Sequence, residues 1–327
     1  MNTRTLGSTG FEVSEIGLGT WQLGGGWGDV SDETAQEVLE TALDEGIRFL
    51  DTADVYGDGR SEQRIQSVLA DRDESPVVAT KAGRRLDPHE AGGYDYEHLS
   101  EFVDRSRENL GVETLDLVQL HCPPTDVYYQ PSTFEALADL RDEGKIDHYG
   151  VSVERVEEAM KAIEYPGVET VQIIFNPFRQ RPTERFFDAA LTEDVGVIVR
   201  IPLASGLLSG NMEADAEFPE DDHRNFNREG EAFDVGETFA GIPLDVGVEA
   251  AEDLRPVVPD DATMAQFVLR WILSFEAVST IIPGTTSPTH VAENVAAADL
   301  PAPSFEDYDH VKSVYDEQVR EFVHHRW

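Results

Sequence analysis

Apolar residues along this chain fall into two alternating kinds of block. One kind is a short, nearly unbroken apolar run, as at 47–53 (IRFLDTA), 76–83 (PVVATKAG), 115–120 (LDLVQL), 148–153 (HYGVSV), 168–175 (VETVQIIF), 197–202 (VIVRIP) and 277–284 (AVSTIIPG). Runs apolar on both faces are what parallel strands need when helices cover both sides of them. The other kind carries apolar residues at helical spacing: 31–46 (SDETAQEVLETALDEG), 97–111, 134–144, 156–164, 184–196 and 262–274. The first of these takes Ser31 as its cap and Gly46 as its stop, and the helix opening at SEQRIQSVLA is expected to take Ser61 as its cap. One more core strand is expected around 16–18, behind a small hairpin over 3–13 that turns at Gly7 to Gly10.

Eight strands, each trailed by a helix and with no linker or low-complexity break, predict an α/β protein. The expected architecture is a (β/α)8 TIM barrel with an N-terminal β-hairpin and extra C-terminal helices, in one domain over residues 1–327. Functional groups should then lie at the C-terminal ends of the strands. Two connections are long for a compact domain, GRRLDPHEAGGYDY at 83–96 and the acidic stretch from 210 to about 244, and are expected to wall a pocket.

Charge narrows the partners. A formal net charge of -40, from 65 acidic against 25 basic residues, repels phosphate backbones and anionic lipid and argues against nucleic acid or membrane partners. Lysine is nearly absent, with Lys81, Lys145, Lys161 and Lys312 the four present. This composition predicts a protein from a salt-loving source, since screening within about 3 Å at 1 M salt makes such self-repulsion tolerable. The single cysteine excludes an internal disulfide framework, no apolar run is long enough to span a bilayer, and MNTRTLGSTG has no hydrophobic signal core, so a cytoplasmic location is expected.

Candidate chemistry clusters at three strand ends. Asp51 closes the run at 47–53, Lys81 the run at 76–83 and His121 the run at 115–120, while Tyr56 sits in the next loop between flexible Gly57 and Gly59. A lysine kept at the end of an apolar run, in a chain that has shed nearly all its lysines, is not there for solubility. GLGTWQLGGG is not a dinucleotide fingerprint, because Gln22 stands where GxGxxG needs its third glycine.

These four residues resemble the catalytic tetrad of the aldo-keto reductases, in their short-loop bacterial and archaeal form. The likeness runs in family order through LGSTGFEVSEIGLGTW, DTADVYGDGRSE, TKAG, LHCPP, EGKIDHYGVS, VIVRIPLASGLLSG, FPEDDHRNFNREG and IIPGTTSPTHVAEN. It implies hydride transfer between NADP(H) or NAD(H) and an aldehyde, ketone or sugar, with Tyr56 as general acid in reduction and base in oxidation. A cation about 4 Å from the phenol at an effective dielectric of 20 is worth on the order of 4 kcal/mol, so Lys81, kept charged and aimed by Asp51, is expected to lower the pKa of Tyr56. His121 would orient the substrate oxygen, with Trp21 and Cys122 beside it.

For the cofactor, the resemblance implies Ser152 and Gln172 at the carboxamide and Arg200 stacked on the nicotinamide. Pro202, Leu203, Ala204, Ser205, Gly206, Leu208 and Gly210 would follow the pyrophosphate. Gly19, Thr20, Trp21 and Asp51 would border the nicotinamide end, and Gly284, Thr285, Thr286, His290, Glu293 and Asn294 the adenine end. The helix opening at Ser287-Pro288 offers unpaired amides to a phosphate. Three positions depart from the family pattern. Thr286 stands where an arginine for the 2′-phosphate is common, Cys122 where a tryptophan is common, and Val153 where an asparagine is frequent. Acidic walls would favour neutral sugars or simple aldehydes over carboxylates, whereas Arg84, Arg85 and Arg200 would reverse that locally, and the sequence leaves both open. Two other readings fit the same residues: a Schiff-base aldolase using Lys81, and a cofactor-binding regulatory subunit with little turnover.

Overall fold

The computed structural model describes residues 1–25 and 30–327, so Gly26, the last glycine of GLGTWQLGGG, lies outside the described residues. Two short strands, β1 (Thr3–Thr5) and β2 (Glu12–Ser14), pair antiparallel with Thr3 opposite Ser14. Eight parallel strands follow: β3 (Leu18–Gly19), β4 (Phe49–Asp51), β5 (Val77–Ala82), β6 (Leu115–His121), β7 (Ile146–Ser152), β8 (Val168–Ile174), β9 (Gly196–Arg200) and β10 (Val278–Ile281). Each lies beside its sequence neighbour. Parallel bridges from Ile16 to Ile281 and from Gly19 to Gly284 join the two ends of the sheet into a TIM barrel.

The helices are α1 (Trp21–Gly24), α2 (Asp32–Asp44), α3 (Arg60–Leu69), α4 (Tyr96–Leu110), α5 (Pro131–Asp142), α6 (Val156–Ala162), α7 (Phe186–Thr192), α8 (His223–Phe226), α9 (Leu244–Leu254), α10 (Met264–Leu273), α11 (Pro288–Ala296) and α12 (Phe305–Val314); the short α1 and α8 lie at the cleft. In α2 the spacing does what the pattern predicts. Ala35, Val38, Leu39, Ala42 and Leu43 are buried on one face, Ser31 Oγ accepts from the Thr34 amide, and Gly46 follows the helix at φ 84°. None of the helices among the described residues is long and apolar enough to cross a membrane.

The expected Ser61 cap is corrected. Helix α3 begins at Arg60 behind a left-handed Gly59, and Ser61 lies inside its first turn, fully buried. Its hydroxyl donates to the Thr20 carbonyl at 3.1 Å, exchanges a hydrogen bond with Thr20 Oγ1 at 2.7 Å and accepts from Thr52 Oγ1 at 2.9 Å. A serine that could cap the helix instead ties it to the tips of β3 and β4.

The hairpin plugs one end of the barrel. Leu6 and Val13 pack with Phe49, Ala79, Leu117, Ile198 and Ile282 from the barrel interior, and Arg4 donates to the carbonyls of Leu273 and Val278 at 2.7 and 2.6 Å. That leaves the C-terminal ends of the strands as the open end. The register places Gly19 beside Asp51, Lys81 beside Gln119, His121 beside Ser152, Ser152 beside Gln172 and Ile174 beside Arg200, so the polar strand ends converge on one rim. Both long connections are packed on this rim. In the segment 211–243, His223, Asn227, Phe239 and Ala240 are buried and Asn227 Oδ1 accepts from the amides of Ala232 and Phe233 at 2.9 Å each.

Candidate active site

Lys81, buried to 1% exposure, holds the centre of the rim. Its Nζ donates to Asp51 Oδ2 at 2.7 Å, to the Thr52 carbonyl at 2.8 Å and to the Tyr56 hydroxyl at 3.3 Å. Three acceptors for three N–H groups leave the ammonium satisfied without water. Gln172 Nε2 donates to the other Asp51 oxygen at 2.7 Å, so the carboxylate is fixed from both sides. The ring of His121 meets the Tyr56 ring edge-on with centroids 5.8 Å apart, and its Nδ1 is buried without a hydrogen-bond partner among the described residues. All four residues of the expected tetrad are thus in one cluster.

The electrostatics correct one expectation. Burial lowers the pKa of Lys81, but Asp51 and Tyr56 outweigh it and leave the group above its ordinary value. For Tyr56, burial raises the pKa, Lys81 lowers it, and Asp51 and Glu237 raise it again; the balance lies above 10.0 rather than below. The ion pair with Asp51 consumes much of the field that Lys81 could apply to the phenol, and desolvation wins. His121 is held well below 6.5, by burial first and then by Arg84, Lys81 and Arg200, so its imidazole is neutral.

A cleft with a cavity volume of about 200 Å³ opens beside the tetrad. Gly19, Trp21, Asp51, Tyr56, Gln172 and Arg200 line its inner end, and Pro202, Leu203, Ser205, Gly206 and Gly284 line the rest. Other candidates lie behind that surface. Thr20 turns inward, its hydroxyl within 2.9 Å of the Asp51 carbonyl, while Ala204 and Leu208 are fully buried. Ser152 sits behind Gln172 with its Oγ 3.4 Å from Gln172 Oε1. Gly210 gives its carbonyl to Arg255 at 2.6 Å. Toward α11, Thr285 Oγ1 accepts from the Ser287 amide at 3.0 Å and lies 3.3 Å from His290 Nδ1. Thr286, His290 and Glu293 are exposed and Asn294 is buried.

The turn after β9 is strained. Ile201, Ala204 and Ser205 take φ values of 51°, 48° and 55°, a region where non-glycine residues cost on the order of 1–3 kcal/mol each. Asn176 holds it, donating to the Ile201 carbonyl at 2.9 Å, and Ser205 Oγ donates to the Glu237 carbonyl at 3.1 Å. The strain shapes the edge of the cleft, where Gly206 at φ 100° completes the turn.

Sequence reasoning missed a buried charge cluster at the same rim. Arg200 Nη2 donates to Glu154 Oε2 at 2.8 Å and Arg84 Nη2 to Glu237 Oε1 at 2.5 Å, with Arg200 Nη1 3.7 Å from Glu237. Burial pushes Glu154 up to about 7 although Arg200 opposes it, whereas Arg84 and Arg200 overcome burial at Glu237 and hold it low. Oxygens of these two acids and Cys122 Sγ lie within 4.8 Å of one another; the two guanidiniums already neutralise the carboxylates. Arg84 and Arg200 are therefore engaged, and Arg85 is bound to Asp58 at 2.6 Å, so none of the three is an open carboxylate receptor. In a chain this rich in acid, no sequence signal singles out Glu237. Arg224, whose Nη2 lies 2.6 Å from Asp222, also lines the cleft and was not singled out. Trp21 forms one wall with His223 and Phe233, at centroid separations of 4.9 and 5.7 Å. Burial raises the Cys122 thiol to about 12, which makes it inert.

Comparison with known proteins agrees with this geometry. The profile of the Aldo/keto reductase family matches residues 15–316. The oxidoreductase YqkF of Bacillus subtilis is 28% identical over 303 residues, covering 91% of each chain. Among solved structures, the holo form of aldo-keto reductase AKR11C1 from Bacillus halodurans superposes with a TM-score of 0.76 at 27% identity, over 96% of both chains. The glycerol dehydrogenase AKR11B4 from Gluconobacter oxydans gives a TM-score of 0.76 at 26% identity, over 97% of this chain and 96% of its own.

Proposed function

The chain belongs to the aldo/keto reductase family, and from that premise we propose that it is a nicotinamide-dependent carbonyl reductase in which Tyr56 delivers the proton to the substrate oxygen. The observation that carries this is the line from Asp51 Oδ2 through Lys81 Nζ to the Tyr56 hydroxyl, 2.7 and 3.3 Å, opening into a cleft. A bound nicotinamide supplies the hydride. The cleft suits such a group: Gly19 and Gly284 face each other across the barrel seam, both line the cleft next to Tyr56, and a Cβ on Gly284 would collide with the Gln22 side-chain amide, 2.1 Å away.

A phenol whose pKa is raised stays protonated across neutral pH, the right state for an acid in reduction. Lys81, permanently charged and immobile, then stabilises the phenolate that remains after the proton has gone. Neutral His121 can donate an N–H to the same oxygen without a charge of its own. For oxidation Tyr56 must first lose its proton against its burial, so reduction is the direction favoured near neutrality.

Beyond Cys122 a second hollow of about 380 Å³ is lined by Arg84, His89, Glu154 and Asp234 as well as Val55 and Phe233. Its polar walls suit a small hydroxylated aldehyde, ketone or sugar better than an apolar one; the similar Gluconobacter protein is named for glycerol. NADP(H) is the cofactor proposed, with NAD(H) the alternative that Thr286 allows. Titration of nucleotide fluorescence with NADPH and NADH in molar KCl, on wild type and Thr286→Arg, tests both. Binding of either supports the reading, a gain for NADPH in the variant assigns Thr286 to the 2′-phosphate, and binding of neither overturns it.

A further inference from the structure

Asp54 is a fully buried acid that the chemistry above does not use. Both of its carboxyl oxygens are buried with no hydrogen-bond partner among the described residues. The neighbours that could neutralise it are committed elsewhere. Arg85 Nη1 and Arg105 Nη2 both donate to Asp58 Oδ1, at 2.6 and 2.8 Å, and Arg105 Nη1 reaches only the backbone carbonyl of Asp54, at 3.3 Å. From α3, fully buried Glu62 faces the same space, its oxygens accepting from Thr80 Oγ1 at 2.6 Å and Asn109 Nδ2 at 2.7 Å. Tyr94, from the 83–95 connection, is the remaining titratable neighbour, and its phenol is kept protonated by burial. A bare carboxylate buried beside a second acid is strongly disfavoured unless it keeps a proton. Burial, then Glu62, push this carboxyl to about 7 against the pull of Arg85 and Arg105.

Its position gives that proton a consequence. Asp54 lies in the tight turn that carries Tyr56: the Tyr56 amide donates to the Ala53 carbonyl at 3.0 Å, and the Tyr56 carbonyl accepts from the Ser61 amide at 3.2 Å. The Tyr56 hydroxyl that this turn presents is 3.3 Å from Lys81 Nζ, so a turn displaced by an ionised, unpaired Asp54 would carry the hydroxyl away from that contact. We propose that Asp54 is a positioning residue whose buried, unpartnered carboxyl, held in its acid form beside Glu62, keeps the Tyr56 turn in place, so that its ionisation switches reductive turnover off. The inference rests on Tyr56 as the proton donor. The phenol cannot itself produce such a limb, because its own loss of the proton lies above 10.0; Glu154, a second buried acid at the rim pushed up to about 7, is the control.

The folded protein keeps a proton on Asp54 that the unfolded chain releases near 3.8, so stability contributed at low pH is lost as pH rises from there to about 7 and not beyond. The test has two readouts on wild type, Asp54→Asn and Glu154→Gln. In ¹³C-carboxyl NMR of aspartate-labelled protein, the resonance missing from Asp54→Asn should titrate near neutrality, a measurement independent of the role of Tyr56. In steady-state reduction, kcat/KM of wild type and Glu154→Gln should fall about tenfold per pH unit above the transition, the slope of a single proton, while Asp54→Asn stays flat. An Asp54 resonance ionised throughout the acid-to-neutral range overturns the proposal. So does a limb that persists in Asp54→Asn. Failure of the proton-donor reading would show differently, as unchanged turnover in Tyr56→Phe with the NMR transition intact.

Discussion

A buried lysine is tolerated when every N–H has an acceptor, and Lys81 meets that condition with Asp51, Thr52 and Tyr56. Its removal has two separable effects. Lys81→Met should lower kcat by about 10²–10⁴-fold through loss of phenolate stabilisation, and it should destabilise the fold by about 3 kcal/mol, the low end for breaking a buried ion pair, because Gln172 still holds Asp51. Steady-state kinetics and urea unfolding of the same variant check both, and full activity would remove Lys81 from the chemistry. At this scale the sequence was most legible where a residue type was scarce or out of place. Lys81, Asp51 and His121 announced themselves as polar ends of apolar runs. Glu237 and Glu154 were invisible because acids are everywhere in this chain, and the raised phenol of Tyr56 was unreadable because burial is a property of the packed rim.

At the scale of elements, Tyr56 is aimed by contacts of backbone on backbone. A Cβ built on Gly24, at the end of α1, would sit 2.6 Å from the Tyr56 carbonyl carbon, closer than real atoms approach. Gly24→Ala should therefore push the Tyr56 turn outward and lower kcat/KM by about 10²-fold, the order expected for a 1 Å misplacement, with cofactor affinity kept; a variant with wild-type turnover would show that the turn is not set by this contact. The strands and the capped helix α2 were readable from periodicity and from Ser31. Ser61 was misread because a serine at the head of an apolar helix looks the same whether it caps the helix or bonds to neighbouring strand tips. The packing of segment 211–243 was likewise hidden, since its anchors, Asn227, His223 and Ser205, act through tertiary hydrogen bonds that no local pattern records.

At the scale of the whole molecule, a net charge of -40 predicts a stability that depends on salt. Repulsion among so many carboxylates reaches about 10 Å at 0.1 M salt and about 3 Å at 1 M, so the thermal midpoint should rise steadily with KCl over that range; a flat midpoint would show that the charge is already compensated within the fold. The barrel gathers its chemistry at one rim because the hairpin closes the other, and the strand ends that carry Asp51, Lys81 and His121 meet there beside the Tyr56 side chain. The most direct measurement is single-turnover reduction by Tyr56→Phe with saturating reduced cofactor, alongside its cofactor dissociation constant. The account predicts a hydride-transfer rate reduced by about 10²–10⁴-fold with cofactor affinity within about twofold of wild type, since one hydroxyl group is all that has been removed; a rate close to wild type would contradict it.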